Sequence, residues 1–141
     1  MQDIQNYING ELVSPLSGDW LVNMEPATGK PYSRIPNSGL EDAERAVQAA
    51  KAAYPAWSNL SINERSAWLT KIADRIEERS EELARAESID NGKPISLARR
   101  VDIPRGSANF RYFAQAITQF HSETYDMGSV GFNYTLRRPL G

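Results

Sequence analysis

The sequence predicts a mixed α+β chain, with β-hairpins at the N-terminus, about four helices in the middle and one strand near the C-terminus. Three observations predict it. Asn9-Gly10 sits between short apolar alternations and supplies the positive φ angles of a two-residue hairpin turn. Two Ser-x-x-Glu capping boxes, Ser38 with Glu41 and Ser61 with Glu64, open stretches of helical periodicity. After Gly128, Val130, Phe132, Tyr134 and Leu136 alternate with small or polar residues, as in a strand.

Taken in order, Tyr7 to Val13 reads as the first hairpin. Trp20 to Pro26 and Lys30 to Ile35 read as a second strand pair, joined by the turn Pro26-Ala27-Thr28-Gly29. Leu40, Ala43, Val47, Ala50 and Tyr54 mark the first helix, with Pro55 as its stop. The second helix carries an apolar stripe of Trp68, Leu69, Ile72 and Ile76, with charges opposite. Ser80 is positioned to cap a third helix that ends at Asp90-Asn91-Gly92, where glycine takes the left-handed conformation. A fourth helix is expected from Asp102 as N-cap, with Pro104 in its first turn and Phe110, Phe113, Ile117 and Phe120 as its buried face.

Composition narrows the function. The 141 residues carry 16 Lys plus Arg against 18 Asp plus Glu, a formal charge of −2, which argues against nucleic acid as a partner. No apolar run approaches the ~18 residues that span a bilayer, and the N-terminus lacks a signal-peptide core, so no membrane is expected and a cytoplasmic setting is. With no cysteine and the single histidine His121, this chain offers no thiol nucleophile and no site needing two imidazoles. Neither a Gly-rich phosphate cradle nor a Gly-x-Ser-x-Gly elbow occurs. The pairs Glu77-Glu78 and Glu81-Glu82 read as a solvated helix face rather than as general acid and base.

Two features carry more chemistry. Asp90-Asn91-Gly92-Lys93-Pro94 puts a carboxylate beside freed backbone carbonyls, which suits either a helix C-cap with an Asx turn or a hard cation. Arg99, Arg100 and Arg105 flank the start of the last helix, and arginine is suited to bidentate grip of a carboxylate.

The ordered motifs Tyr7-Ile8-Asn9-Gly10, Glu25-Pro26-Ala27-Thr28-Gly29-Lys30, Glu87-Ser88-Ile89-Asp90-Asn91-Gly92-Lys93-Pro94 and Arg138-Pro139-Leu140-Gly141 resemble the N-terminal part of an aldehyde dehydrogenase, over essentially the whole chain. Ala98 to Arg105, with Asn109-Phe110-Arg111-Tyr112-Phe113-Ala114, is most similar to the branch that oxidises muconic semialdehydes. The resemblance implies an α/β family whose members are several times longer. Residues 1–127 would be the helical and hairpin part of the cofactor-binding domain, and 128–141 an oligomerisation arm strand leading toward a Rossmann core. It places the cysteine nucleophile, the glutamate base and the NAD or NADP site beyond position 141, so no catalytic or cofactor residue carries over and the chain alone is expected to be inactive.

What carries over is smaller. Asp90, with backbone near Asn23 and Met24, becomes a candidate for a structural Na or K ion. Arg105 and Val101 become candidates for the substrate entrance, and the partners implied are an aldehyde, further copies of the chain or the remainder of the enzyme. The alternative is a non-catalytic truncated homologue that acts as a self-associating interaction module.

Overall fold

The computed structural model describes residues 1–140. Five strands open the chain: β1 (Gln2–Asp3), β2 (Asn6–Ile8), β3 (Glu11–Val13), β4 (Trp20–Glu25) and β5 (Lys30–Pro36). β2 and β3 form the expected hairpin, with Tyr7 opposite Leu12 and both turn residues at positive φ, 53° for Asn9 and 84° for Gly10. β4 and β5 form the second pair, and β1 adds a parallel edge to β5, giving the order β1-β5-β4. Arg34 fastens that edge by a forked pair of hydrogen bonds to Asp3, 2.8 and 2.7 Å long.

Helix α1 runs Leu40–Ser58, and its start differs from the expected one. Asp42, not Glu41, closes the first turn by accepting the Gly39 amide at 3.1 Å. It also accepts the Leu16 amide at 3.1 Å, and so buries a carboxylate that a strand-to-helix connection needs. The Ser38 hydroxyl is instead engaged by the Asn6 side-chain amide at 2.8 Å. Pro55 does not stop the helix, which continues for three residues. A proline near the C-terminal end removes only one donor, and its own carbonyl still accepts the Asn59 amide at 3.2 Å.

Helix α2, Ile62–Glu78, begins with the expected capping box: the Glu64 amide donates to Ser61 Oγ at 3.2 Å and the Ser61 amide to Glu64 Oε2 at 2.7 Å. Helix α3, Ser80–Asn91, follows after a single residue. Arg79 both ends α2 and precedes α3, so Ser80 is the first helical residue rather than the cap. Gly92 terminates α3 in the left-handed conformation, φ 77°, as expected.

The last helical rod comprises α4 (Ile95–Leu97), a π-helical segment (Ala98–Asp102) and α5 (Ile103–Gln119). Asp102 is therefore not an N-cap; it lies inside continuous helix at φ −68° and ψ −51°, and its carboxylate is drawn to Lys93. Pro104 follows the π turn directly, where the interrupted hydrogen-bond ladder accommodates its missing N–H. The terminal strand has a partner: β6 (Thr124–Asp126) and β7 (Phe132–Tyr134) form an antiparallel hairpin, so Val130 sits in its turn and Leu136 beyond it.

α2 lies along α5, and the buried residues at the helix contacts are small: Ala73 on α2, Ala84 on α3, Ala98 in the π segment, and Ser107 and Ala114 on α5. The predicted stripes are not the core. Trp68 is 51%, Phe113 58% and Phe120 64% exposed, and Ile72 and Phe110 are also exposed. Small residues let two helix backbones approach closely, and the large apolar side chains then flank the contact and face outward. The whole is the mixed α+β arrangement read from the sequence, with four long helices and small sheets.

Candidate functional site

The polar segment Asp90 to Pro94 folds into the corner where the end of α3 meets the β4–β5 pair. A carboxylate in the last turn of a helix opposes the helix dipole and needs donors to offset it. Two donors reach Asp90 Oδ1: the Tyr32 hydroxyl at 2.5 Å and the Asn23 side-chain amide at 2.9 Å. A register shift makes this possible. Asn23 pairs with Ser33 but Met24 pairs with Pro31, leaving Tyr32 as an extra, re-aimed residue. Asn23 also donates to the Tyr32 oxygen at 2.9 Å, closing a triangle.

These hydrogen bonds favour the charged carboxylate. Tyr32 first, and Asn23 second, hold Asp90 below the usual aspartate range against the opposing effect of burial. In return, the Asp90 carboxylate pushes the Tyr32 phenol above its ordinary value. Beside Tyr32, the Ser33 hydroxyl is fully buried with no hydrogen-bond partner among the described residues.

The structure thus brings Asn23 to Asp90, through the side-chain amide, while Met24 occupies the next position of β4 at the register shift. Among the described residues, no three His, Cys, Asp or Glu side chains group as a metal cluster. What the corner offers is oxygen: Asp90 Oδ2, which takes no hydrogen bond among the described residues, beside the Tyr32 hydroxyl. Hard oxygen donors suit an alkali or alkaline-earth cation rather than zinc or copper.

The arginines sort by partner. Arg99 grips Glu81 with two hydrogen bonds of 2.7 and 2.6 Å, and Arg100 Nε reaches the Ser96 carbonyl at 3.3 Å. Arg111 lies 2.7 Å from Asp74 and 2.7 Å from Glu77. Arg105 is exposed and has no hydrogen bond or ion pair among the described residues. One turn before it, at the close of the π segment, Val101 is 43% exposed. The structure therefore brings Val101 and Arg105 together on one rod and keeps them apart from the Asp90 corner except through Lys93.

Two polar clusters were missed at the level of sequence. Lys93 bridges Asp102 at 2.7 Å and Glu87 at 3.0 Å. Ser107 on α5 donates to Glu77 on α2, where Arg111 also converges. Arg111 and Ser107 hold the Glu77 carboxyl down at about 2. Neither pairing follows from spacing, because each joins different elements. His121 lies exposed after α5 with no assigned role.

An open groove of 490 Å³ lies at α2 and α5, lined among others by Trp57, Leu69, Tyr112, Ile117, Phe120 and Pro139. The Pro139 carbonyl accepts the Tyr54 hydroxyl at 2.7 Å, and Arg137 stacks 4.7 Å from the Phe120 ring. No helix among the described residues is long and apolar enough to cross a membrane.

Residues 14–141 match the aldehyde dehydrogenase family. A 2-aminomuconic semialdehyde dehydrogenase of Bos taurus is 48% identical over 139 residues, which cover 98% of this chain and 28% of that protein. A 2-hydroxymuconic semialdehyde dehydrogenase of Pseudomonas sp. (strain CF600) is 40% identical over 146 residues, covering 100% and 30%. Among solved structures, PnpE in complex with nicotinamide adenine dinucleotide aligns with TM-score 0.89 and 41% identity, over 95% of this chain and 27% of that one. The P. syringae indole-3-acetaldehyde dehydrogenase AldA, in complex with NAD+ and IAA, aligns with TM-score 0.95 and 30% identity over 100% and 29%. The chain spans just over a quarter of the length of these relatives.

Proposed function

Because the chain belongs to the aldehyde dehydrogenase family, we propose that it is the N-terminal part of an NAD(P)-dependent enzyme that oxidises an aldehyde of the muconic-semialdehyde type to a carboxylic acid. The nicotinamide cofactor supplies the hydride acceptor in that reaction, and its site lies outside these residues. The observation that carries the substrate class is Arg105. Among the described residues it is the arginine of its group left without an acidic or backbone partner, four positions from the exposed Val101. A planar guanidinium so presented grips a substrate carboxylate bidentately at the entrance to the reaction site.

Under this reading residues 1–127 scaffold the cofactor-binding domain, and 128–141 form the arm that joins subunits. The exposed hairpin β6–β7 supports the arm, and the uncovered apolar faces of α2 and α5 support packing on the remainder of the enzyme or on further copies. Asp90 Oδ2 and the carbonyls of Asn23 and Met24 would hold a structural Na or K ion. The setting we assign is the cytoplasm.

In a full-length dehydrogenase carrying this chain, Arg105→Ala should raise KM for a carboxylate-bearing aldehyde about tenfold with kcat little changed, the pattern of a lost binding contact. An unchanged KM removes the carboxylate assignment. The 141 residues alone should give no aldehyde-dependent NAD reduction; enzyme-like turnover by them would sink the scaffold reading in favour of a complete site.

A further inference from the structure

Val101 and Arg105 owe their direction to the π segment Ala98–Asp102. A π turn inserts one extra residue into a helix and recurs at functional sites. Pro104, which has no N–H, favours a break in the ladder at this point but leaves open which residue is the extra one. If it migrates along the rod, each step turns the side chains it passes by about 100°, the rotation of one helical residue. Something must therefore hold the bulge in place.

Lys93 does so from outside the rod. Its ammonium lies 2.7 Å from Asp102 Oδ2, at the residue that closes the π turn, and 3.0 Å from Glu87 Oε1 on α3. Both ends of the Asp102 pair are largely covered, with side chains 27% and 30% exposed. Lys93 is itself held: its amide donates to Asn91 Oδ1 at 3.0 Å, and its carbonyl accepts the Ser88 hydroxyl at 2.7 Å. The preceding Gly92 abuts Pro26. A lysine anchored at the end of α3 thus fastens the π turn to the sheet corner.

We infer that Lys93 is a positioning residue, whose ion pair with Asp102 fixes the register of the π turn and so directs Arg105 at the substrate carboxylate. The inference rests on the reading of Arg105 given above. Lys93 does not touch the substrate, and its effect is confined to substrates that Arg105 grips.

The test uses a full-length dehydrogenase containing this chain, with succinic semialdehyde as the carboxylate-bearing probe and propanal as the uncharged one. Lys93→Met, which keeps the stem and removes the charge, should raise KM for succinic semialdehyde about tenfold while kcat and the KM for propanal stay within about twofold. Asp102→Asn should reproduce this, Lys93→Arg should restore the native value, and Lys93→Met added to Arg105→Ala should change nothing further. If Arg105→Ala raises KM and Lys93→Met does not, the positioning role is overturned while the substrate reading stands. If Lys93→Met harms both aldehydes equally, the lysine is only structural and the inference is overturned. If Arg105→Ala itself changes nothing, the substrate reading falls and takes the inference with it. Amide exchange across residues 98–103 gives a second readout: faster in Lys93→Met and native in Lys93→Arg, with unchanged rates in both overturning the latch.

Discussion

Gly92 stands so close to Pro26 that a β-carbon on it would lie 2.9 Å from Pro26 Cβ. The glycine also holds φ at 77°, a conformation that L side chains adopt at a cost of about 1–2 kcal/mol. Gly92→Ala should therefore destabilise the chain by roughly 2–4 kcal/mol, strain and overpacking together. Urea unfolding measures this, and in a Pro26→Gly background, which lacks the clashing Cβ, Gly92→Ala should cost only the conformational share.

Tyr32→Phe removes the donor that does most to hold Asp90 in its charged form. A carboxylate with a depressed folded-state pKa contributes stability that is present above its unfolded value and is lost as pH falls through the folded one. The variant should lose at most about 1 kcal/mol at neutral pH, given that the group is solvent-exposed, and nearly nothing once Asp90 is protonated. Equal losses at both ends of a pH series of melts would show that Tyr32 acts through packing instead.

Glu77 gives a second, independent pH dependence. Its carboxyl lies at about 2 instead of the ordinary 4.5, because Arg111 and Ser107 bind its charged form. The stabilisation of α2 on α5 is thus complete above about pH 4.5 and fades as pH falls toward 2. Tryptophan fluorescence, through Trp68 on α2, should report acid loosening in this window, and Glu77→Gln should flatten it.

Ser33→Ala should stabilise the chain by about 1 kcal/mol, because the buried hydroxyl it deletes has no partner among the described residues and bears an uncompensated desolvation cost. A fall in melting temperature would mean that the hydroxyl serves the Asp90 corner. Potassium titration of both proteins then separates the roles, with cation-dependent stabilisation lost in the variant only if Ser33 is a ligand.

The parts of the fold that local chemistry dictates were legible in the sequence. Asn9-Gly10, the Ser61–Glu64 box and Gly92 each act through their own backbone, so the residue type alone marks the feature. Elements that depend on distant partners were not legible. Asp42 displaced Glu41 because the Leu16 amide needed an acceptor, and Asp102 became a helix-interior ion-pair partner because Lys93 reaches it. The buried face expected of α5 is Phe110, Phe113, Ile117 and Phe120, yet its buried residues are Ser107 and Ala114, since close helix approach favours small size over hydrophobic bulk. Within the site, family resemblance pointed to Asp90 with the backbone near Asn23 and to Val101 with Arg105; the structure shows the Asn23 side-chain amide on Asp90, whereas Tyr32 was hidden by a strand irregularity that no sequence period announces.

The widened turn at Ala98–Asp102 confines its surplus residue to one turn of the rod. A one-codon deletion there would erase that residue and restore ordinary helical pitch, turning the side chains of the segment by about 100° while the rod beyond keeps its place. Ser107 and Arg111 would still meet Glu77, so the seam between α2 and α5 would survive a cut that spoils only the aim of Val101.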